Sequence, residues 1–441
     1  MPTIEWIYMN RNRQIEENRG NRRITVSLGA DVREGYVLRY ESMSDTENVD
    51  AAASDHFEFN SIAIGLETPQ QIGERLAAQV IATLDAREEQ PERIACDLYP
   101  KFPTTYAAEV LSEHYQVPML RMQKCHRAIL DAMDRRENVL GVCLDDLSYG
   151  SDGTLWGGEI LEISGEGFTR LASIHPYQLI GTNMELHSST PWQTAVSMLY
   201  DLARMSHNED EAIRDFVAKQ EASEKVHLLD LCSLNDARAQ YIAQDRNKNT
   251  TSSTAASGLF DAAAAILGLQ RISTPTGRSP MEALAEAAEA FEHDGKSKSQ
   301  IDTLYAKLEK LIAAAEEMDD PTLEPGDLWE DTDDGAFSEI SADDNQDILH
   351  TEHLIRLLAD ERIRYLTSLG KRNYDRPLNL KHPDDGRSDD NSRLLAWFLL
   401  DALATIFIQY CRKKSSSDIV LAGHYLNGGI LQTKFKEKLQ T

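Results

Sequence analysis

The chain has 441 residues, with 73 Asp and Glu against 45 Lys and Arg, a formal charge of −28. At about 150 residues per domain this is enough chain for two or three cores. Hydrophobic residues at 41% and charged residues at 27% exclude wholesale disorder and collagen-like repeats. So acidic a surface argues against DNA, RNA and membrane as bulk partners, because nucleic acid and anionic lipid are both polyanions. Half of the net charge lies in residues 316–347, which carry 14 acidic residues and no basic one. That stretch reads as a solvated, disordered linker, with a docking tail for a basic partner as the functional alternative. The five cysteines (Cys96, Cys125, Cys143, Cys232, Cys411) are odd in number and form no C-x-x-C pair. They point to a reducing cytoplasm and exclude a zinc ribbon. Residues 1–21 are too polar for a signal peptide.

In chain order, Arg23–Leu28 and Tyr36–Tyr40 read as strands joined by a turn over Gly29–Gly35. A helix over Gln71–Arg87 carries Ile72, Leu76, Val80, Ile81 and Leu84 at helical spacing. A strand at Arg93–Leu98, a helix at Thr105–His114, a strand at Pro118–Met122, a helix at His126–Arg135 and a strand at Asn138–Leu144 follow. This alternation predicts an α/β layer. From Tyr177 to Ala315 the pattern is mostly helical: Trp192–Ser206, Glu209–Glu221, Asn235–Asp245, Ser257–Leu269, Met281–Phe291 and Ile301–Ala315. After the acidic stretch come helices over Thr351–Leu369 and Ser392–Arg412, with a polar loop at Lys371–Asp390 between them. The strand Asp418–Leu421, the turn Ala422–Gly429 and a last helix, Ile430–Leu439, close the chain. Leu394–Tyr410 is the most apolar long stretch, but at 17 residues, interrupted by Asp401, it reads as a buried core helix.

The run from Leu144 to Glu159, LDDLSYGSDGTLWGGE, is the most informative. A hydrophobic strand ends in Asp145 and Asp146, a turn follows, and a second strand begins at Leu155 and runs to Ile163. A carboxylate at the end of a buried strand suits a metal ion or its water, and glycines let backbone N–H groups approach a phosphate. The same residues also serve a plain hairpin, in which Asp and Gly make only the turn.

This run resembles the D-G-T-G-Y-G-T-D-G-T-x-W-G-G-E signature of the carbamoyltransferase half of HypF, the [NiFe]-hydrogenase maturation family. Asp145, Tyr149, Gly150, Asp152, Gly153, Thr154, Trp156, Gly157, Gly158 and Glu159 are retained. Further pieces occur in the family's order: Ser27–Glu34, Ile64–Glu67, Ala95–Pro100, Pro191–Trp192, Gly258–Ala262 and Leu421–Gly423. The resemblance implies an α/β fold of the actin-like, sugar-kinase-like (ASKHA) type, two RNase-H-like lobes with helical insertions. It implies ATP or carbamoyl adenylate as ligand, with a divalent metal, zinc or iron. It also implies transfer of carbamoyl to the C-terminal cysteine of a HypE-like partner or another maturation factor. The residues it nominates for nucleotide are Tyr149, Gly150, Asp152, Gly153, Gly157, Gly158 and Gly423; for metal, Asp145 and His126. No catalytic residue is nominated. The expected division is an extension at 1–21, a first lobe at 22–176, a helix-rich part at 177–315, the linker at 316–347, and a helical C-terminal part with the shortened end of the second lobe at 348–441.

The departures from the pattern bear on activity. The family places its metal on H-x-x-x-H, two imidazoles one helical turn apart. The aligned run here is Met122-Gln123-Lys124-Cys125-His126-Arg127-Ala128, so Lys124 and Ala128 replace both ligands. Asp146 and Leu147 replace G-T, and Asp146 adds negative charge where a phosphate is expected. Pro275–Gly277 aligns with a Y-E-G loop and lacks its carboxylate, His424 replaces a late-turn glycine, and the chain ends before the family's closing D-G-G segment. Two readings follow: an active transferase with a redesigned site, or a catalytically degenerate relative that works as a binding or scaffold protein. Of other candidates, Cys125 offers a substitute ligand, His424 a ligand contact, and His350 with His353 at i, i+3 a second metal pair.

Overall fold

The protein is described by a computed structural model covering residues 22–28, 35–42, 53–57, 67–133, 138–164, 167–180, 191–204, 250–270, 278–291, 295–316, 346–368, 389–415 and 418–440. The expected helices at Glu209–Glu221 and Asn235–Asp245, the loop at 371–388, most of the acidic stretch, the N-terminal extension, Cys232 and Pro275–Gly277 lie outside these residues. Two compact units result. One holds residues up to Val139 with Ser148–Gly150 and Ile163–Phe168; the other holds Leu140–Leu147, Ser151–Glu162 and Thr169 onward.

The first unit is built on β1 (Arg22–Leu28), β2 (Tyr36–Ser42), β3 (Ala53–Phe57), β4 (Arg93–Asp97) and β5 (Met119–Met122). Their order across the sheet is β3-β2-β1-β4-β5. The first three are antiparallel neighbours, whereas β4 runs parallel to both β1 and β5. Parallel neighbours need crossovers, and helices α1 (Pro69–Ala86) and α2 (Pro103–Tyr115) supply them. The arrangement is that of an RNase-H-like lobe, as the resemblance implied.

Helix α1 starts where the sequence dictates. Thr68 caps the amide of Gln71, the Gln71 side chain returns to the Thr68 amide, and Pro69 opens the first turn. Its face Ile72, Leu76, Val80 and Leu84 packs with Val26, Leu38, Ile94 and Leu111 into one buried cluster. Fully burying each such side chain contributes about 1.5–3 kcal/mol. Gly73 lets α1 close on α2, since a Cβ there would lie 2.5 Å from the Pro103 carbonyl oxygen.

Helix α3 (Lys124–Ala132) follows β5. Gln123 caps it by accepting the His126 amide at 3.1 Å, and its Nε2 donates to Ser148 Oγ at 3.1 Å.

The second unit carries a seven-stranded sheet of β6 (Val139–Tyr149), β7 (Leu155–Ser164), β8 (Gly167–Ile174), β9 (Tyr177–Ile180), β10 (Thr250–Ser253), β11 (Asp347–Leu349) and β12 (Asp418–Ala422). The path runs β11-β8-β7-β10-β9, and β6 pairs with both β7 and β12. Strands β9 and β10 fall in the stretch expected to be mostly helical. Each is four residues long; β10 reads Thr-Thr-Ser-Ser, with no apolar alternation to announce it, and it is fixed by antiparallel pairing of Thr250–Ser253 with Tyr177–Ile180.

The helices α4 (Pro191–Arg204), α5 (Ala256–Ile266), α6 (Pro280–Glu289), α7 (Gly295–Glu316), α8 (Glu352–Ser368), α9 (Asp390–Lys414) and α10 (Gly429–Gln440) complete this unit. Helix α9 alone among the described helices is long and apolar enough to cross a membrane, and 72% of its apolar window is buried inside the protein. It packs against α6, α8 and α10. Its single acidic residue mid-run, Asp401, is held by the Tyr305 hydroxyl and by Lys438 Nζ at 2.8 Å.

Candidate active site

Strand β6 carries Leu140, Val142, Cys143 and Leu144 through the interior and delivers Asp145, 2% exposed, at the point where its burial begins to relax. Asp145 Oδ1 accepts the amide of Asp146 at 2.8 Å. Asp146 accepts the hydroxyl of Tyr425, from the short turn at 424–426 that follows β12. Desolvation and then the Asp146 charge hold Asp261, on α5, well above the usual carboxylate range. Desolvation, Asp146, Asp261 and Asp145 together push the Tyr425 phenol up as well. The result is a carboxylate cluster with a phenol hydrogen-bonded into it, which brings oxygen acceptors and one hydroxyl donor together.

Beside it, the Asp152-to-Glu159 motif folds into a clip around Arg170 of β8. Arg170 pairs with Asp152 at 2.9 Å and with Glu159 at 2.8 Å, and donates to Thr254 Oγ1 at 3.0 Å. Its guanidinium lies 3.9 Å from the Trp156 ring centroid. Asp152 also accepts the Thr154 amide at 2.9 Å and the Trp156 indole N–H at 2.9 Å. Glu159, fully buried, accepts the amides of Gly157 at 3.1 Å and Gly158 at 3.3 Å.

The nominated glycines are distributed accordingly. A Cβ at Gly157 would lie 2.7 Å from the carbonyl oxygens of Asp145 and Asp146, and one at Gly158 would lie 2.6 Å from that of Thr254. Gly423, at φ +93°, lies so close to Leu144 that a Cβ would stand 2.4 Å from its carbonyl oxygen. Gly157 and Gly423 let a strand and a turn close on the backbone bearing the carboxylates, and Gly158 lets β7 close on Thr254. Gly153, at φ +81°, has open space beside it.

The structure therefore gathers Asp145, Asp152, Gly153, Gly157, Gly158 and Gly423 in the second unit. Tyr149, Gly150 and His126 fall in the first. There Tyr149 stacks on Tyr99, with ring centroids 5.0 Å apart. His126 is buried, packs beside Phe168 and has no hydrogen-bond partner at Nε2. Burial, then the charge of Arg39, lowers its pKa to about 4. Lys124 at the first family ligand position is buried, and an ammonium has no lone pair to give; Ala128 has no donor atom. The donor set of this chain does not match the family's imidazole pair, and no step is derived through a metal on α3. Sequence reasoning had not singled out Arg170, Asp261, Tyr425 or Thr254.

A family described as the carbamoyltransferase, Kae1-like domain, second subdomain, matches residues 141–328, which contain both the carboxylates of β6 and the clip. Residues 141–328 are thus similar to a HypF-like carbamoyltransferase domain. A carbamoyltransferase HypF homolog of Cupriavidus necator is 31% identical over 189 residues, 42% of this chain and 43% of that protein. Carbamoyltransferase HypF of Rhizobium leguminosarum bv. viciae is 31% identical over 223 residues, 49% of this chain and 26% of its own length. The crystal structure of full-length HypF in its phosphate- and nucleotide-bound form superposes with a TM-score of 0.58 at 16% identity, covering 95% of this chain and 51% of that one. T. kodakarensis HypF gives 0.58 at 18% identity, covering 96% and 44%. The HypF-like chain thus spans about half or less of the length of these relatives, and the structural likeness establishes the α/β fold of the ASKHA type.

Proposed function

We propose that this chain serves metalloenzyme maturation, of the [NiFe]-hydrogenase kind, as a carbamoyltransferase-family protein that takes carbamoyl adenylate as ligand and a thiol of a HypE-like partner as acceptor. The observation that carries this reading is the buried Asp145 within β6, where the fully buried part of that strand ends, inside the matched domain and close to the retained Asp152-to-Glu159 run. In such a transfer the thiolate attacks the carbamoyl carbon. A C–S bond forms, the carbon–phosphate-oxygen bond breaks, and AMP leaves with the electron pair. The carboxylates of Asp145 and Asp146 are the local acceptors for the thiol proton, and the Tyr425 hydroxyl is a local donor. The thiols of Cys96 and Cys411 are buried, with pKa values pushed up to about 11 and about 12, which supports an acceptor outside these two.

A second reading, a non-catalytic member that binds a maturation partner, is favoured by Lys124 and Ala128 at the family's ligand positions. Calorimetric titration of the purified chain with ATP, AMP and a non-hydrolysable carbamoyl-adenylate analogue, with and without divalent ions, tests the first. Micromolar binding, followed by mass-spectrometric detection of carbamoyl on a HypE-type C-terminal cysteine, supports transfer. Binding without transfer supports the second reading, and no nucleotide binding under any condition overturns the first.

A further inference from the structure

Outside the site just described, the second unit gathers a separate set of donor atoms. Strand β11 pairs in parallel with β8, Leu349 opposite Ile174, so the residues that follow each strand emerge side by side. These are His175 after β8 and His350 after β11, and the His175 amide donates to Thr351 Oγ1 at 2.9 Å. Helix α8 begins at once with Glu352 and His353.

Nδ1 of His350 lies 3.1 Å from Glu352 Oε1, and Nε2 of His353 lies 3.3 Å from the same oxygen. Nδ1 of His175 faces the other oxygen, Oε2, at 3.4 Å. One ligand atom from each of His350, Glu352 and His353 falls within 4.8 Å of the others. The rings of His350 and His353 stand 5.7 Å apart, tilted by 23°.

We propose that His350, Glu352 and His353 bind one divalent transition-metal ion, zinc being the ion that best suits two imidazoles and a carboxylate. Bonds of about 2.0–2.2 Å to a tetrahedral ion place ligand atoms roughly 3.3–3.5 Å from one another, close to the two nitrogen–carboxylate separations of 3.1 Å and 3.3 Å, with the two imidazole nitrogens within 4.8 Å of each other. The second argument is polar accounting. Glu352 and His353 are each 8% exposed at the side chain. Neither ring nitrogen of His353 has a hydrogen-bond partner, nor has Glu352 Oε2. Buried polar atoms without partners are rare, and a cation among them satisfies the carboxylate and one ring nitrogen together.

The imidazoles suit the role electrically, because neutral rings carry the lone pairs a metal needs. His175 is a positioning residue. Its Nδ1 lies 3.4 Å from Oε2, near enough to orient the carboxylate electrostatically with Oε1 toward the ion, without a formed hydrogen bond. His350 is 29% exposed at its side chain, so the ion has an approach from solvent and a water can complete its shell. The proposal is independent of nucleotide chemistry: its residues lie outside the matched segment 141–328, apart from His175.

The test is zinc binding by the full chain, stripped with a chelator and then titrated against a chromophoric competitor. The expected result is one equivalent bound at submicromolar affinity. His353→Ala and the solvent-facing His350→Ala should each weaken it at least 10-fold, whereas His114→Ala on α2 should leave it unchanged. X-ray absorption at the zinc edge should show the outer-shell scattering of two imidazoles. Metal-free far-UV circular dichroism and melting identify any variant that fails to fold, and His350→Ala, at the rim, is the variant to read in that case. Absence of a bound equivalent, or unchanged affinity in a folded His350→Ala variant, overturns the proposal.

Discussion

The hydroxyl of Tyr425 is bound to the carboxylate of Asp146, joining the turn after β12 to the end of β6 across 279 positions of chain. The bond gives the negative charge of Asp146 a donor, in a place where Asp261 and Asp145 would otherwise face it alone.

Asp261 supplies the pH dependence of that cluster. Its folded pKa is raised, so its contribution is fully present below the unfolded carboxylate value and declines as pH rises through the folded value. The wild type should therefore lose stability from about pH 4 upward relative to Asp261→Asn, whose amide keeps the neutral shape. Urea unfolding of both proteins at pH 4 and pH 7 checks this: near-equal differences at the two pH values would contradict it.

Removing the phenol should expose the same repulsion by another route. Tyr425→Phe leaves the half-buried Asp146 without this donor, and an expected loss of about 1 kcal/mol follows from the lost hydrogen bond to a charged group. The double variant Tyr425→Phe, Asp146→Asn should recover part of that loss, a result that a simple cavity effect would not produce.

Arg170 neutralises two carboxylates from a side chain 9% exposed, and Glu159 beside it is fully buried. Arg170→Ala should cost about 3–5 kcal/mol, because it strands Glu159 in the interior. Arg170→Lys should restore little, since one ammonium cannot reach Asp152, Glu159 and Thr254 with a fork of donors or lie flat on Trp156. Denaturant midpoints and Trp fluorescence report both.

Gly423 has no room and the wrong backbone angle for any other residue. At φ +93°, with the Leu144 carbonyl oxygen 2.4 Å from a notional Cβ, Gly423→Ala must displace β12 or β6. The expected destabilisation is about 2 kcal/mol or more. Gly153→Ala, at φ +81° with open space, should cost less, by backbone strain alone. Equal losses at the two positions would refute the close-approach argument.

His126 gives a second, opposite pH effect. With its pKa lowered to about 4, its stabilising contribution is present above the unfolded value near 6.5 and is lost as pH falls through about 4. The difference amounts to about 3 kcal/mol by acid pH. His126→Gln should flatten stability between pH 6.5 and pH 4, which chemical denaturation across that range will show.

Much of the fold was legible because its elements carry their own signals. The apolar period of α1, the punctuating Thr68 and Pro69, and the long apolar run of α9, broken mid-way only by Asp401, each specify a helix without reference to partners. β10 does not, since Thr250–Ser253 becomes a strand only by lying between β7 and β9. The site divides in the same way. Asp145 at the end of an apolar strand could be read directly. What fills the space beside a glycine could not: Gly157 and Gly423 meet backbone carbonyls contributed by residues distant in the chain. Arg170 was invisible for the same reason, being 18 residues from Asp152 yet bonded to it. His175 and Glu352 meet only because β8 and β11 pair.

Asp401 has a consequence for how the end of the chain behaves. It lies mid-way along the most apolar helix, and Lys438 and Lys434 of α10 bring it the countercharge at 2.8 Å and 3.8 Å. The closing helix is thus an electrical cap as well as a packing element. Without those two lysines the carboxylate keeps the Tyr305 hydroxyl but loses its countercharge in an apolar setting, so the seat of α10 on α9 is set by charge as much as by shape.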